Sequence, residues 1–159
     1  MYLLDANVFI QAKNLHYRFS TFPCFWEWLN SSHMSGQIAS IVSIKAELCR
    51  GNDELTTWAK AIETSWFLDE SDEETQLNFI EIVAHVSNSD FRQPAIADFL
   101  SGADPLLIAK AKAIGAKVVT QEKSVPSSKK KIHIPDVCDH FGVKYLDTYD
   151  LLEDLRARF

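Results

Sequence analysis

The first ten residues constrain this chain more than any other stretch. Tyr2-Leu3-Leu4 is a short apolar run without charge, Asp5 ends it, Ala6 and Asn7 follow, and Val8-Phe9-Ile10 is apolar again. A bounded apolar run of this kind reads as a buried strand, and the Asp-x-Asn reads as its carboxyl edge turning into a helix. In open α/β sheets, ligands sit just outside the carboxyl ends of the strands. A carboxylate there, with an amide two residues later, suits a hard cation that prefers oxygen ligands. Asp5 is therefore the seed of a candidate site, and the question for the rest of the chain is what converges on it.

Further strands are expected at Ile38–Val42, Lys117–Thr120 and Val143–Leu146. Trp66-Phe67-Leu68 reads as an edge strand or an extended link, and Ile132–Ile134 as extended. Between them lie helical patterns. A short helix follows Asp5 to about Ala12, and Lys13–Phe22 reads as a loop. Pro23 opens an aromatic helix through Leu29 that breaks at Ser31–Gly36. Ile44–Cys49 is helical and closed by Gly51. Asn52 or Asp53 caps the next helix, which carries Leu55, Trp58, Ala59 and Ile62. Ser71–Glu74 is an acidic first turn, favourable against the helix dipole, before Leu77, Ile80, Val83 and Ala84. Pro94–Leu100 is a short helix, Leu106–Ile114 ends at Gly115, Pro135–Phe141 stops at Gly142, and Thr148–Arg158 closes the chain. Strands alternating with helices over short connections indicate a mainly parallel sheet covered on both faces. The expectation is a single-domain α/β chain over residues 1–159, a three-layer α/β/α sandwich.

With 159 residues, 47% of them hydrophobic, the chain has enough material for one packed core. No apolar run approaches the roughly 20 residues of a spanning helix. The first residues lack a basic segment followed by a long apolar one, so no signal peptide is expected. Cys24, Cys49 and Cys138 are odd in number and far apart. That disfavours a disulfide scaffold or a structural zinc site and fits a reducing cytoplasm. The net charge of −6 argues against a broadly basic nucleic-acid-binding surface. It leaves room for a local basic patch beside an acidic site.

Four acids fall at similar places in this reading. Asp5 ends the first strand, Glu47 lies in the helix after the second, Asp104 starts a helix after a Gly, and Glu122 lies just past the strand ending at Thr120. A parallel sheet puts Asp5 and Glu122 on one edge by construction. Close carboxylates repel by roughly 4 kcal/mol per pair at about 4 Å and an effective dielectric near ~20. Such a cluster is tolerable when protonated or when it binds a divalent cation, and Mg²⁺ or Mn²⁺ would relieve the repulsion. The chemistry such a site points to is phosphodiester hydrolysis by water.

These residues carry a resemblance. Leu3-Leu4-Asp5-Ala6-Asn7, the helical Glu47, Ala103-Asp104-Pro105-Leu106-Leu107-Ile108-Ala109 and Val118-Val119-Thr120-Gln121-Glu122 together resemble a PIN-domain nuclease. The chain is similar to the small PIN-like toxins of bacterial and archaeal toxin–antitoxin pairs. One PIN-like family of about this length also has a Lys-rich loop, here Ser127–Ile132, followed by Ile134-Pro135 and His140-Phe141-Gly142-Val143. On this resemblance Asp5, Glu47 and Asp104 match the first three acids, Asn7 the polar neighbour, and Thr120 the Thr/Ser position. Glu122 stands where the family usually has Asp. The resemblance implies a PIN-like central sheet, a Mg²⁺- or Mn²⁺-dependent ribonuclease, an RNA substrate, a homodimer and a cognate antitoxin of metallopeptidase-like type.

Each residue also has a plainer reading. Asp104-Pro105 is most simply an N-cap with Pro at the first helical position. Asp5 equally suits a cap for the helix at Ala6, Glu47 a solvated helix face, and Glu122 a loop acid. Lys129, Lys130 and Lys131 are by default a solvated loop; their functional reading is phosphate contact. Lys45, Arg50, Lys110, Lys112 and Lys123 are candidates for a basic rim. The His residues at 16, 33, 85, 133 and 140 have no metal-site spacing and read as surface or structural. Two other functions compete. A haloacid-dehalogenase-type phosphatase also opens with a strand and an Asp, but needs a second Asp where Asn7 stands. A non-catalytic PIN-like module is disfavoured by all four acidic positions being filled. Metals act on phosphate, so these residues alone leave RNA versus DNA open.

Overall fold

The first strand, β1 (Tyr2–Leu4), buries consecutive side chains: Leu3 and Leu4 are both 0% exposed. Neighbouring strand residues point to opposite faces, so both faces of the sheet must be covered. The same holds for β2 (Ile38–Ile41), buried at every position, and for Val118 and Val119 of β4 (Lys117–Val119). This computed structural model describes residues 1–159. It has two further strands, β3 (Phe67–Leu68) and β5 (Tyr145–Leu146), and all five are parallel in the order β3-β2-β1-β4-β5. The chain is thus the α/β sandwich expected, with one core that unites residues from Leu3 to Leu151.

The helices are α1 (Ala6–Gln11), α2 (Pro23–Met34), α3 (Val42–Leu48), α4 (Glu54–Ala61), α5 (Glu73–Ser87), α6 (Gln93–Ser101), α7 (Asp104–Ile114), α8 (Ile134–Phe141) and α9 (Thr148–Asp154). Helix α7 packs on β1, β2 and β4 and is covered in turn by α5 and α8. That central place explains its nearly all-round apolar sequence: Leu107, Ile108, Ala109 and Ala111 are fully buried. Gly115 and Gly142 end α7 and α8 with φ of +66° and +69°, a left-handed turn that a side chain would strain. No helix is long and apolar enough to cross a membrane.

Several boundaries differ from the sequence expectation. Helix α2 runs through Ser31, whose hydroxyl donates to the Glu27 carbonyl at 3.0 Å, and through Ser32, which is buried against the core. The stretch expected as a loop after Lys13 begins with a π-helical turn, Ala12–His16. Helix α3 starts at Val42 directly after β2 and ends before Gly51. Gly51 has a packing role instead: a Cβ there would lie 2.7 Å from Thr56 Oγ1, which donates to the Leu48 carbonyl at 2.9 Å. Ile134 is the first residue of α8 rather than the end of an extended segment, and β5 holds only Tyr145 and Leu146. Helix α9 stops at Asp154, and Arg156 lies in a left-handed conformation at φ 52°.

Candidate active site

Strand register builds the first contact. Leu4 pairs with Val119, so the next residues, Asp5 and Thr120, emerge side by side at the carboxyl edge. The Asp5 amide continues the ladder to the Val119 carbonyl at 3.0 Å, and Thr120 Oγ1 donates to Asp5 Oδ2 at 3.0 Å. Successive strands run outward from β1 in one direction to β3, then restart on its other side with β4. The crevice between β1 and β4 is therefore the topological switch point, where open α/β sheets bind ligands.

Asp104 reaches this crevice from the first turn of α7. Its neighbour Ala103 donates its amide to Glu47 Oε1 at 2.9 Å, which ties α3 to the start of α7 across 56 residues. Glu47 is thus half-buried and fixed, which rules out the plainer reading of it as a solvated face. Burial pushes the Asp104 carboxyl up to about 8, helped by the charges of Asp5, Glu122 and Glu47. Burial also pushes Asp5 up to about 6; the Thr120 hydroxyl opposes this, and Glu122 adds to it. Three of the proposed acids thus act on the fourth, so the fold gathers all four into one field. Asn7 is half-buried in the first turn of α1, beside Asp5.

The capping reading of Asp104 does not hold, and that of Asp5 holds in part. Asp5 occupies the N-cap of α1, and the Ala6 and Asn7 amides act on its carboxylate and favour its charged form, without a capping bond of full geometry. Asp104 lies inside α7, whose N-cap is Ala103, and it caps nothing. Elsewhere the chain caps helices with Asp in the ordinary way: Asp53 accepts from the Thr56 amide, Asp72 from Thr75, and Asp147 from Tyr149 and Asp150. Asp104 is the exception.

Glu122 is held differently. Thr120 Oγ1 accepts from its amide at 3.2 Å. Its Oε1 accepts from Lys131 Nζ at 2.5 Å, its Oε2 from the Ile134 amide at 2.9 Å, and His133 Nδ1 stands 3.9 Å away. It is therefore an anchor for the loop before α8 and no free loop acid. The lysine run is split. Lys129 pairs with Asp90 and lies over the Phe91 ring, Lys131 turns to the acids, and Lys130 is exposed without an acidic partner. Most of the expected basic rim is likewise engaged: Lys110 is buried against Asp72, Lys112 pairs with Glu81, and Lys123 with Asp147. Lys110 in particular is a core residue and not part of a rim. Sequence reading missed the pairing of Lys131 with Glu122, because nine residues of irregular loop carry no periodic signal.

Residues 2–159 match the family described as a domain of unknown function, DUF4411. The chain belongs to that family. No curated protein matches it.

The donors that this DUF4411 chain brings together are hard carboxylate oxygens under mutual repulsion, which fits Mg²⁺ or Mn²⁺ in chemical type. Nevertheless, no three His, Cys, Asp or Glu side chains close into a ready coordination sphere. Glu122 spends both oxygens on Lys131 and Ile134, and Glu47 spends one on Ala103. Asp5 and Asp104 remain the central candidates. A groove of about 240 Å³ opens beside Glu47, lined by Ser43, Arg50, Phe79, Ser101 and Gly102. A larger one of about 560 Å³ runs along β5 past Lys117, Asp139 and Asp154 and shares no residue with the acids.

Proposed function

We propose that the chain is a Mg²⁺- or Mn²⁺-dependent endoribonuclease of PIN-like type, hydrolysing RNA phosphodiester bonds. The observation that carries this reading is the pair Asp5 and Asp104. Both stand at helix starts beside the strand switch point, and burial makes both hold protons more tightly than ordinary carboxyls. Asp5 is buried and Asp104 half-buried, and carboxyls so perturbed at the edge where α/β sheets bind ligands argue for a task.

A divalent cation bound there supplies charge neutralisation and lowers the pKa of a water. The rest of the work falls to side chains of this chain. Thr120 holds one oxygen of Asp5 and so fixes the orientation of the other. Glu47, through the Ala103 amide, fixes the start of α7 and with it Asp104. Asn7 offers an amide next to Asp5, and Lys130 is a free cation for substrate phosphate. The resemblance adds a homodimer and a cognate antitoxin, and with them the role of toxin.

The test is cleavage of single-stranded RNA with Mn²⁺ or Mg²⁺ present. Asp5→Asn and Asp104→Asn should each lower the rate by at least about a hundredfold while the circular dichroism spectrum is kept. Full activity in excess chelator, or in both variants, refutes the reading.

A further inference from the structure

One edge of the sheet borders a groove. Strand β5 is the last on its side, with β4 as its only neighbour. The Val118 amide donates to the Lys144 carbonyl at 2.9 Å, and the Thr120 amide to the Leu146 carbonyl at 3.0 Å. Alternate residues of a parallel strand serve opposite neighbours, so Tyr145, between these two, turns its own N–H and C=O away from β4. Those are the groups with which an added strand pairs. The groove of about 560 Å³ runs along this edge, and α8 and α9 contribute to its wall. Within it, Asp154 pairs with Lys117 at 3.0 Å. Asp139, Asp150 and Glu153 are exposed and make no ion pair, against one exposed lysine, Lys144.

This charge decides the occupant. Charged side chains beside an edge deter pairing between copies of one chain, and a second copy here would bring its own acids against these. Nucleic-acid phosphates meet the same repulsion. An extended polypeptide with Lys or Arg at alternate positions meets the reverse field. Its backbone can pair with Tyr145, and every second side chain falls on one face, towards the acids. We infer that the β5 edge and its groove are the docking site for an extended basic segment of a partner protein. The groove shares no residue with Asp5, Glu47, Asp104 or Glu122, so the inference stands apart from the nuclease reading.

The probe is a synthetic peptide of alternating lysine and valine, titrated into the intact chain by calorimetry, with amide hydrogen exchange followed by NMR. The peptide should bind and slow exchange of the Tyr145 amide at least about fivefold. The same peptide with its backbone amides methylated keeps the charge, loses the donors and should bind at least about tenfold more weakly. The double variant Asp150→Asn, Glu153→Gln should weaken the unmethylated peptide about tenfold, with a thermal melt to check that it is folded. No binding, equal binding of the methylated peptide, an unchanged affinity in the double variant or an unprotected Tyr145 amide would each overturn the inference. So would protection of Tyr145 that rises with the concentration of the chain alone, because the edge would then be taken by a second copy.

Discussion

Asp104 occupies the first turn of an eleven-residue helix, where the dipole favours a negative charge. Its carboxyl nevertheless titrates near 8, because desolvation and three neighbouring carboxylates outweigh the dipole. The folded chain therefore holds this proton far above the ordinary value of 3.8 that applies when unfolded. A group of this kind contributes stability below the unfolded value and loses it as pH rises through the folded one. Without metal, stability should fall between about pH 4 and pH 8, with Asp5 contributing up to about 6. Asp104→Asn removes the larger part of that slope. In chelator, its melting temperature should match the parent near pH 4.5 and exceed it at pH 8. Parallel curves for the two proteins would mean that Asp104 is not under this strain. The same substitution is expected to abolish cleavage, so stability and activity move in opposite directions, as they do where a fold retains a costly group for use.

Among the elements, the aspartates that do cap helices behave oppositely. Asp72 accepts from the Thr75 amide and hydroxyl and pairs with Lys110 at 2.6 Å, which holds its carboxyl down to about 2. Asp72→Ala should lower the melting temperature of the metal-free chain at pH 7 by about 2–4 °C and leave cleavage unchanged; a rise in stability would overturn the division between capping and site aspartates. That division was only half legible in the sequence. The strand ends at Asp5 and Thr120, the start of α7 and the stops at Gly115 and Gly142 follow from local pattern, since apolar runs and glycines act over a few residues. The sequence also pointed to Asp104 as a cap, and the pattern Asp-Pro does favour that. What prevents it is the backbone before it: Gly102 is extended and Ala103 takes the capping position. The contacts of Glu47 with Ala103 and of Glu122 with Lys131 are products of packing between elements, which no local rule encodes.

At the scale of the whole molecule, the parallel sheet is what turns four dispersed acids into one problem. Every strand runs the same way, so the residues that follow β1 and β4 must share an edge, and α7, packed on both strands, delivers its first residue there. The chain carries a net charge of −6, which deepens the cost of this cluster instead of relieving it. A divalent cation is therefore expected to act as a ligand that stabilises the entire fold, in proportion to how many of these carboxyls are ionised. At about a hundred times its dissociation constant it would add about 2.7 kcal/mol, or about 5–10 °C for a domain of this length. Protons compete for the same oxygens, and Asp104 releases its proton only near 8. The Mn²⁺-induced rise in melting temperature should accordingly be larger at pH 8 than at pH 5 and be lost in Asp5→Asn. An equal rise at both pH values would place the bound ion away from Asp5 and Asp104, the two carboxyls that burial keeps protonated at pH 5.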